Sequence, residues 1–136
     1  MHLFAYGTLM CNDIMQEVSG ILPSSTSGCL FGYCRYGVKN EHYPAIIPEK
    51  EGCVKGIVYL DVSPAAWERL DRFEGEMYER LPVEITLNTG MRITANTYVW
   101  KPAFSLELTE SHWSLETFFQ KGKQAFISNY KGYSEL

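Results

Sequence analysis

The chain of 136 residues is short of basic residues, of cysteine and of long apolar runs. Twelve Lys and Arg stand against sixteen Asp and Glu, a formal net charge of -4. With no basic block, that balance is a poor footprint for nucleic acid or an anionic membrane surface. No apolar stretch approaches the about 20 residues needed to span a bilayer. The opening Met1-His2-Leu3-Phe4-Ala5-Tyr6 has neither the basic start nor the long apolar run of a signal peptide, so a cytoplasmic protein is expected. The four cysteines, Cys11, Cys29, Cys34 and Cys53, include no C-x-x-C pair. No spacing among them and His2, His42 or His112 has the form of a zinc site. Free, mostly buried thiols and no bound metal are expected. There is no Walker A loop, no G-x-G-x-x-G and no G-x-S-x-G. No linker, repeat or charge block divides the chain, and residues 1–136 read as one domain.

Aromatic residues are plentiful: seven Phe, nine Tyr and three Trp make 14% of the chain. That density suits a packed core or a ring-lined pocket. His2 to Tyr6, stopped by Gly7, reads as a buried first strand. Asn12 is a candidate cap for a helix over Asp13 to Val18, with Gly20 beyond it. Cys29 to Tyr36 and Val54 to Leu60 read as strands, and Tyr43 to Pro48 as an edge strand or loop bracketed by prolines. Ser63-Pro64 opens a helix with the apolar stripe Ala66, Trp67, Leu70 and Phe73, which Gly75 is placed to end. Pro82 to Leu87 and Met91 to Trp100 form a hairpin around Asn88-Thr89-Gly90. Leu115, Phe118, Phe119, Gly122, Ala125 and Phe126 mark an amphipathic helix, with close packing expected at Gly122. Six or seven strands with few helices predict an α+β fold. The expected form is a small, mixed, mostly antiparallel β-barrel with flanking helices.

Two features carry chemistry. A buried strand running through Tyr6 into Gly7, Thr8 and Leu9 exposes successive backbone N–H groups. Such a turn can hold a carboxylate without Lys or Arg, although a plain turn is the readier reading of a single glycine. Glu74 lies at the C-terminal end of a predicted helix, against Phe73. The helix dipole and the apolar surface both disfavour its ionised form, which suits a general acid/base near neutral pH. An exposed carboxylate without a role is the alternative. Tyr78 and Arg80 share one side of a strand. The first is able to position Glu74 or a substrate, the second to pair with a nearby acid. Tyr33, Tyr36, Tyr43, Tyr59 and Tyr98 read as core or sheet face. Cys34 with His42 is a thin thiol–base candidate, lacking a third orienting group.

Several of these segments, taken in order, resemble the gamma-glutamylcyclotransferase-like superfamily. They are Leu3-Phe4-Ala5-Tyr6-Gly7-Thr8-Leu9-Met10, Tyr43-Pro44-Ala45-Ile46-Ile47-Pro48, Gly56-Ile57-Val58-Tyr59-Leu60-Asp61, Leu70 to Gly75, and Tyr78-Glu79-Arg80 with Val83. Thr97-Tyr98-Val99-Trp100 with Trp113 is similar to its avirulence-induced-gene branch. The resemblance runs over roughly residues 3 to 120. It implies a small β-barrel with flanking helices and an enzyme that converts gamma-glutamyl amines or peptides into 5-oxoproline and a free amine. It further implies that Tyr6, Gly7, Thr8 and Leu9 hold the glutamyl α-carboxylate, that Glu74 is the catalytic acid/base and that Tyr78 flanks the pocket. The substrate's own α-amine is the nucleophile, so neither cofactor nor metal is expected. The partner implied is a small gamma-glutamyl molecule, with monomer or homodimer left open. A non-catalytic protein that binds a small carboxylate on the same fold is the alternative. Cys34 to His42 and Lys101 to Glu110 are the loops expected to shape the amine side.

Overall fold

The computed structural model describes residues 1–136. Five strands close into a barrel in the order β1-β3-β2-β4-β5, with β1 Leu3–Ala5, β2 Ser25–Gly37, β3 Pro44–Tyr59, β4 Tyr78–Leu87 and β5 Arg92–Trp100. All pairings are antiparallel except β1 with β5, which run parallel and meet at Leu3 and Asn96. The mixed, mostly antiparallel barrel is thus the architecture expected, built from fewer strands. The segments around Tyr43–Pro48 and Val54–Leu60 join as the single strand β3. Its ladder with β2 jumps register, so that Phe31 faces Cys53 whereas Tyr33 faces Pro48. A proline without an N–H and an irregular ladder are natural companions, because the bulge absorbs the missing bond.

Three helical segments cover one side of the barrel. Helix α1, Asn12–Ser19, has Cys11 at its cap position in place of the expected Asn12, and Gly20 ends it in the left-handed conformation. Helix α2, Pro64–Glu74, starts where the Ser63 side chain accepts a hydrogen bond from the Ala66 N–H at 3.2 Å. Such a cap contributes about 1 kcal/mol. Gly75, at φ 85°, terminates α2 directly after Glu74. Ala66, Trp67, Leu70 and Phe73 are buried, as their spacing predicts. Burial of Leu70 and Phe73 contributes roughly 1.5–3 kcal/mol each. The last segment runs helically from Leu115 to Asn129 through a wider turn at Phe118–Gly122. A Cβ on Gly122 would stand 2.7 Å from His42 Nδ1, the close approach anticipated there.

The apolar residues fall into two clusters. Phe4, Tyr6, Leu30, Ile46, Val58 and Ile85 fill the barrel interior. Leu3, Ala5, Ile14, Trp67, Phe73 and Phe126 form the seam between barrel and helices. Strand β1 sends alternate residues to each, so both its faces are buried and its sequence is apolar throughout. All four cysteines are free, but only Cys11 is buried; Cys29, Cys34 and Cys53 sit on β2 and β3 with their thiols partly or fully exposed. No helix is long and apolar enough to cross a membrane.

Candidate active site

Three pieces of chain converge at the seam. The first is the exit of β1: Tyr6, Gly7 and the short turn Thr8–Met10. Pro44, at the start of β3, is buried against it. A Cβ on Gly7 would stand 2.8 and 2.9 Å from Pro44 Cγ and Cδ, so only glycine lets the loop lie this close. The second is the end of α2, and the third is Tyr78, the first residue of β4. Only Gly75, Glu76 and Met77 separate Glu74 from β4, so the helix end and the strand start stay together.

These pieces line a cleft of about 400 Å³. Tyr6, Gly7, Thr8, Leu9, Glu74 and Tyr78 all border it. All six residues singled out from the sequence are therefore brought to one place. The cleft is tight: the centre of a water molecule can occupy only about 30 Å³ of it. A wider lobe of about 1040 Å³ shares Tyr43, Phe73, Glu74, Tyr78 and Tyr130 with it and continues past Met77 to Lys131 and Glu135. Neither Cys34–His42 nor Lys101–Glu110 borders this lobe; the start of β4 and the C-terminal residues do so instead. Those loops lie elsewhere because residues 37–42 pack against 109–122, on another cleft.

Glu74 is half-buried, and its acidity is strongly perturbed. Loss of solvent, and secondarily the negative charge of Asp71, push its carboxyl up to about 8 from an ordinary 4.5. Every nearby hydroxyl with a partner is engaged away from its carboxylate oxygens. Tyr6 donates to the Tyr98 carbonyl at 2.5 Å, Tyr78 to the Pro44 carbonyl at 2.7 Å and Tyr98 to Asp71 Oδ1 at 2.7 Å. The Tyr130 hydroxyl lies 2.8 Å from the Phe73 carbonyl and 3.2 Å from that of Glu74. Arg80 pairs with Asp71, at 3.6 Å, and stacks over Trp67. It thus meets the acid expected of it, but not Glu74. The Glu74 carboxyl is left facing the cleft with no ion pair. Burial raises the Tyr6 and Tyr78 hydroxyls far above their usual acidity range, and Glu74 adds to both, which puts the three groups within electrostatic reach of one another.

Groups of both signs line the cleft. The amides of Gly7, Thr8 and Leu9 donate to no protein acceptor, while the Gly7 and Thr8 carbonyls accept from Met10 and Cys11 at 3.0 and 3.1 Å. The loop thus brings free backbone donors to the cleft. Glu74 and the oxygens of Tyr6 and Tyr78, whose single protons are committed to carbonyls, border the same cleft and bring acceptors.

Nine further residues line the cleft that the sequence did not mark as site residues, among them Tyr43, Tyr98, Phe126 and Tyr130. Tyr43 and Tyr98 lie in motif segments but read as packing residues, because a tyrosine pattern alone does not distinguish core from pocket. Phe126 read as the stripe of a helix. Tyr130 carried no signal in the sequence. Tyr59 is core, as expected, yet its hydroxyl reaches the Leu9 carbonyl at 2.7 Å and holds the loop. Cys34 does not meet His42. Its thiol lies 3.8 Å from His112 Nε2 on an exposed surface, because β2 carries Cys34 toward the 109–113 segment.

The family model described as gamma-glutamyl cyclotransferase, AIG2-like, matches residues 3–116. AIG2-like protein C of Arabidopsis thaliana is 31% identical over 134 residues, covering 98% of this chain and 77% of its own length. A solution structure of an Arabidopsis thaliana protein, At5g39720.1, superposes with a TM-score of 0.71 at 29% identity, covering 96% of this chain and 87% of that one. The crystal structure of an AIG2-like protein from Mus musculus gives a TM-score of 0.67 at 21% identity over 91% of both chains, a likeness of fold.

Proposed function

Because the chain belongs to the gamma-glutamyl cyclotransferase, AIG2-like family, we propose that it releases 5-oxoproline and a free amine from gamma-glutamyl amines or peptides. The observation that carries this reading is the two-signed cleft. An α-amino acid head group presents a carboxylate, which needs donors, beside an ammonium, which needs acceptors. The free amides of Gly7, Thr8 and Leu9 match the first. Glu74 and the oxygens of Tyr6 and Tyr78 match the second.

With both groups held, the glutamyl side chain folds back so that its γ-carbonyl meets the α-nitrogen. Glu74, as the carboxylate, takes a proton from the α-ammonium. The freed amine attacks the γ-carbonyl carbon, forming the ring C–N bond. The proton held by Glu74 then passes to the departing nitrogen as the carbonyl re-forms and the original amide C–N bond breaks. The ring nitrogen gives up its remaining surplus proton to the freed Glu74 carboxylate, which passes it to the released amine, so that the amine leaves as an ammonium. Attack is intramolecular, so the protein supplies geometry and proton transfer and no nucleophile of its own. A carboxyl near 8 suits this exchange, since it both accepts and returns a proton close to neutral pH. The wider lobe adjoining Glu74 has room for the amine side of the substrate. A cytoplasmic setting goes with this reading, as four unpaired thiols suit a reducing compartment.

The test is a panel of gamma-glutamyl amines and peptides assayed for 5-oxoproline. Glu74→Gln is expected to reduce turnover by about 10²–10⁴-fold with the fold intact. In the wild type, kcat/KM is expected to climb about tenfold per pH unit and level off near pH 8, as Glu74 ionises. Undiminished turnover in the variant, or a flat profile from pH 6 to 8, overturns the assignment. A ligand-induced rise in melting temperature without product from any substrate points to non-catalytic carboxylate binding.

A further inference from the structure

We infer that Arg35 is a positioning residue for the carboxylate-binding loop, acting through the Tyr6–Gly7 peptide without touching the ligand. The inference rests on the carboxylate-binding reading of that loop. From Tyr6 to Leu9 every carbonyl is occupied and no amide after Tyr6 is. The Tyr6 carbonyl accepts from Arg35 Nη1 at 2.7 Å, those of Gly7 and Thr8 from the following turn, and that of Leu9 from the Tyr59 hydroxyl. Side chains thus hold the two ends of the segment by its acceptors and leave its donors free.

The geometry of a peptide plane turns this into a device. All peptide bonds of the chain are trans, so a C=O and the N–H bonded to it point in opposite directions. Drawing the Tyr6 oxygen toward Arg35 sends the Gly7 N–H the other way. Arg35 does not border the cleft, whereas Gly7 does. The two atoms also belong to one conjugated unit. A cation on the oxygen withdraws electron density from the nitrogen and makes the N–H a stronger donor. Arg35 is suited to the task because it has no acidic partner: none of the ion pairs in the chain includes it. Its guanidinium is half-buried, lies 5.4 Å from the Trp113 ring centre and makes a longer bond to the Lys55 carbonyl at 3.3 Å. Its charge stays net positive behind the loop, in surroundings that screen it less than water does.

The experiment measures binding of 5-oxoproline and of its carboxamide by calorimetry, with thermal melts and steady-state kinetics on the same proteins. Arg35→Met is expected to weaken 5-oxoproline binding about tenfold, the effect of losing one charge-assisted bond. The carboxamide, which carries no charge for the loop to hold, is expected to change less than about twofold by the same reasoning. For turnover, KM is expected to rise by a similar factor with kcat nearly unchanged. Arg35→Lys keeps the charge and an alkyl stem, and is expected to recover most of the lost affinity even if the Met variant folds poorly. Equal losses for acid and carboxamide, or a KM unchanged in folded Arg35→Met, overturn the positioning role. Wild-type protein that binds neither compound overturns the carboxylate-binding reading itself, and the inference with it.

Discussion

Inside the barrel, Leu30, Ile46, Val54, Val58 and Ile85 are exposed by 0–2% and meet one another as aliphatic groups with no polar atoms to satisfy. At the seam the contacts are between rings. Tyr43, Phe73, Tyr78, Phe126 and Tyr130 meet at 4.7–6.5 Å, edge-on or tilted except for Phe126 and Tyr130, which stack, and most of the hydroxyls they bring must find a carbonyl. The interior is buried throughout, whereas Tyr43 and Tyr130 of the seam are only partly buried, and the two regions do different work. Aliphatic packing serves closure of the barrel, where shape alone matters. Packing by tyrosines builds a surface whose oxygens are oriented, and it encloses a carboxyl that has no counter-ion. Burial without a partner is costly to stability and useful to chemistry, and at this cleft the carboxyl that bears the cost is Glu74.

The sharpest way to break the comparison is to damage the interior alone. Ile85→Ala is expected to lower unfolding free energy by about 3–4 kcal/mol while leaving kcat/KM of the folded protein within about twofold. Chemical denaturation and steady-state assays check this. A large kinetic effect would mean that the barrel interior and the seam are not separable.

The next effect concerns the cost of Glu74. Its folded pKa is raised, so the native state keeps a proton that the unfolded chain releases. The penalty is absent below about pH 4.5 and grows until pH reaches about 8. Wild-type stability is expected to fall across that window. Glu74→Gln, which cannot ionise, is expected to be more stable at pH 9 by on the order of 3 kcal/mol, discounted because the group is partly open to the cleft. Denaturant titrations of both proteins at pH 4 and pH 9 measure it. Parallel stability curves would show that Glu74 is not perturbed.

The smallest effect tests the loop that carries the free amides. Gly7→Ala pushes a methyl group against the Pro44 ring, which is buried and rigid. The loop shifts, and about 1–2 kcal/mol of ligand binding is expected to be lost. KM is expected to rise about tenfold, with little change in kcat. A fall in kcat at constant KM would assign the loop to the chemical step instead of to binding.

How far the sequence leads differs between these regions. The helix over Pro64–Glu74 was legible because Ser63, Pro64 and Gly75 mark its ends and its apolar spacing marks its buried face. Glu74 followed from that helix, since a carboxylate at a helix C-terminus beside Phe73 stands out locally. Tyr6 to Leu9 was legible as a strand running into glycine. The strand count was not. Tyr43–Pro48 and Val54–Leu60 are locally separate, and only pairing with β2 makes one strand of them. Cys34 was a candidate partner of His42, but β2 carries it to His112.

The negative composition also reads differently now. Nothing in the sequence suggested that a cation stands behind the donor loop, because Arg35 is separated from Tyr6 by 29 positions. Local rules determine what is written within a few residues: caps, periodicity, a glycine where the backbone must pass close, a carboxylate at a dipole's end. By itself the sequence determined the helix that carries Glu74, the loop that carries the free amides and the mixed barrel they adorn. Only the tertiary structure decided that these meet in one cleft and that tyrosine oxygens border it with them. It also decided that Arg35 reaches the carbonyl behind Gly7. Closing a barrel sets contacts between residues far apart in the chain, and those contacts depend on register and shear, which local sequence does not encode.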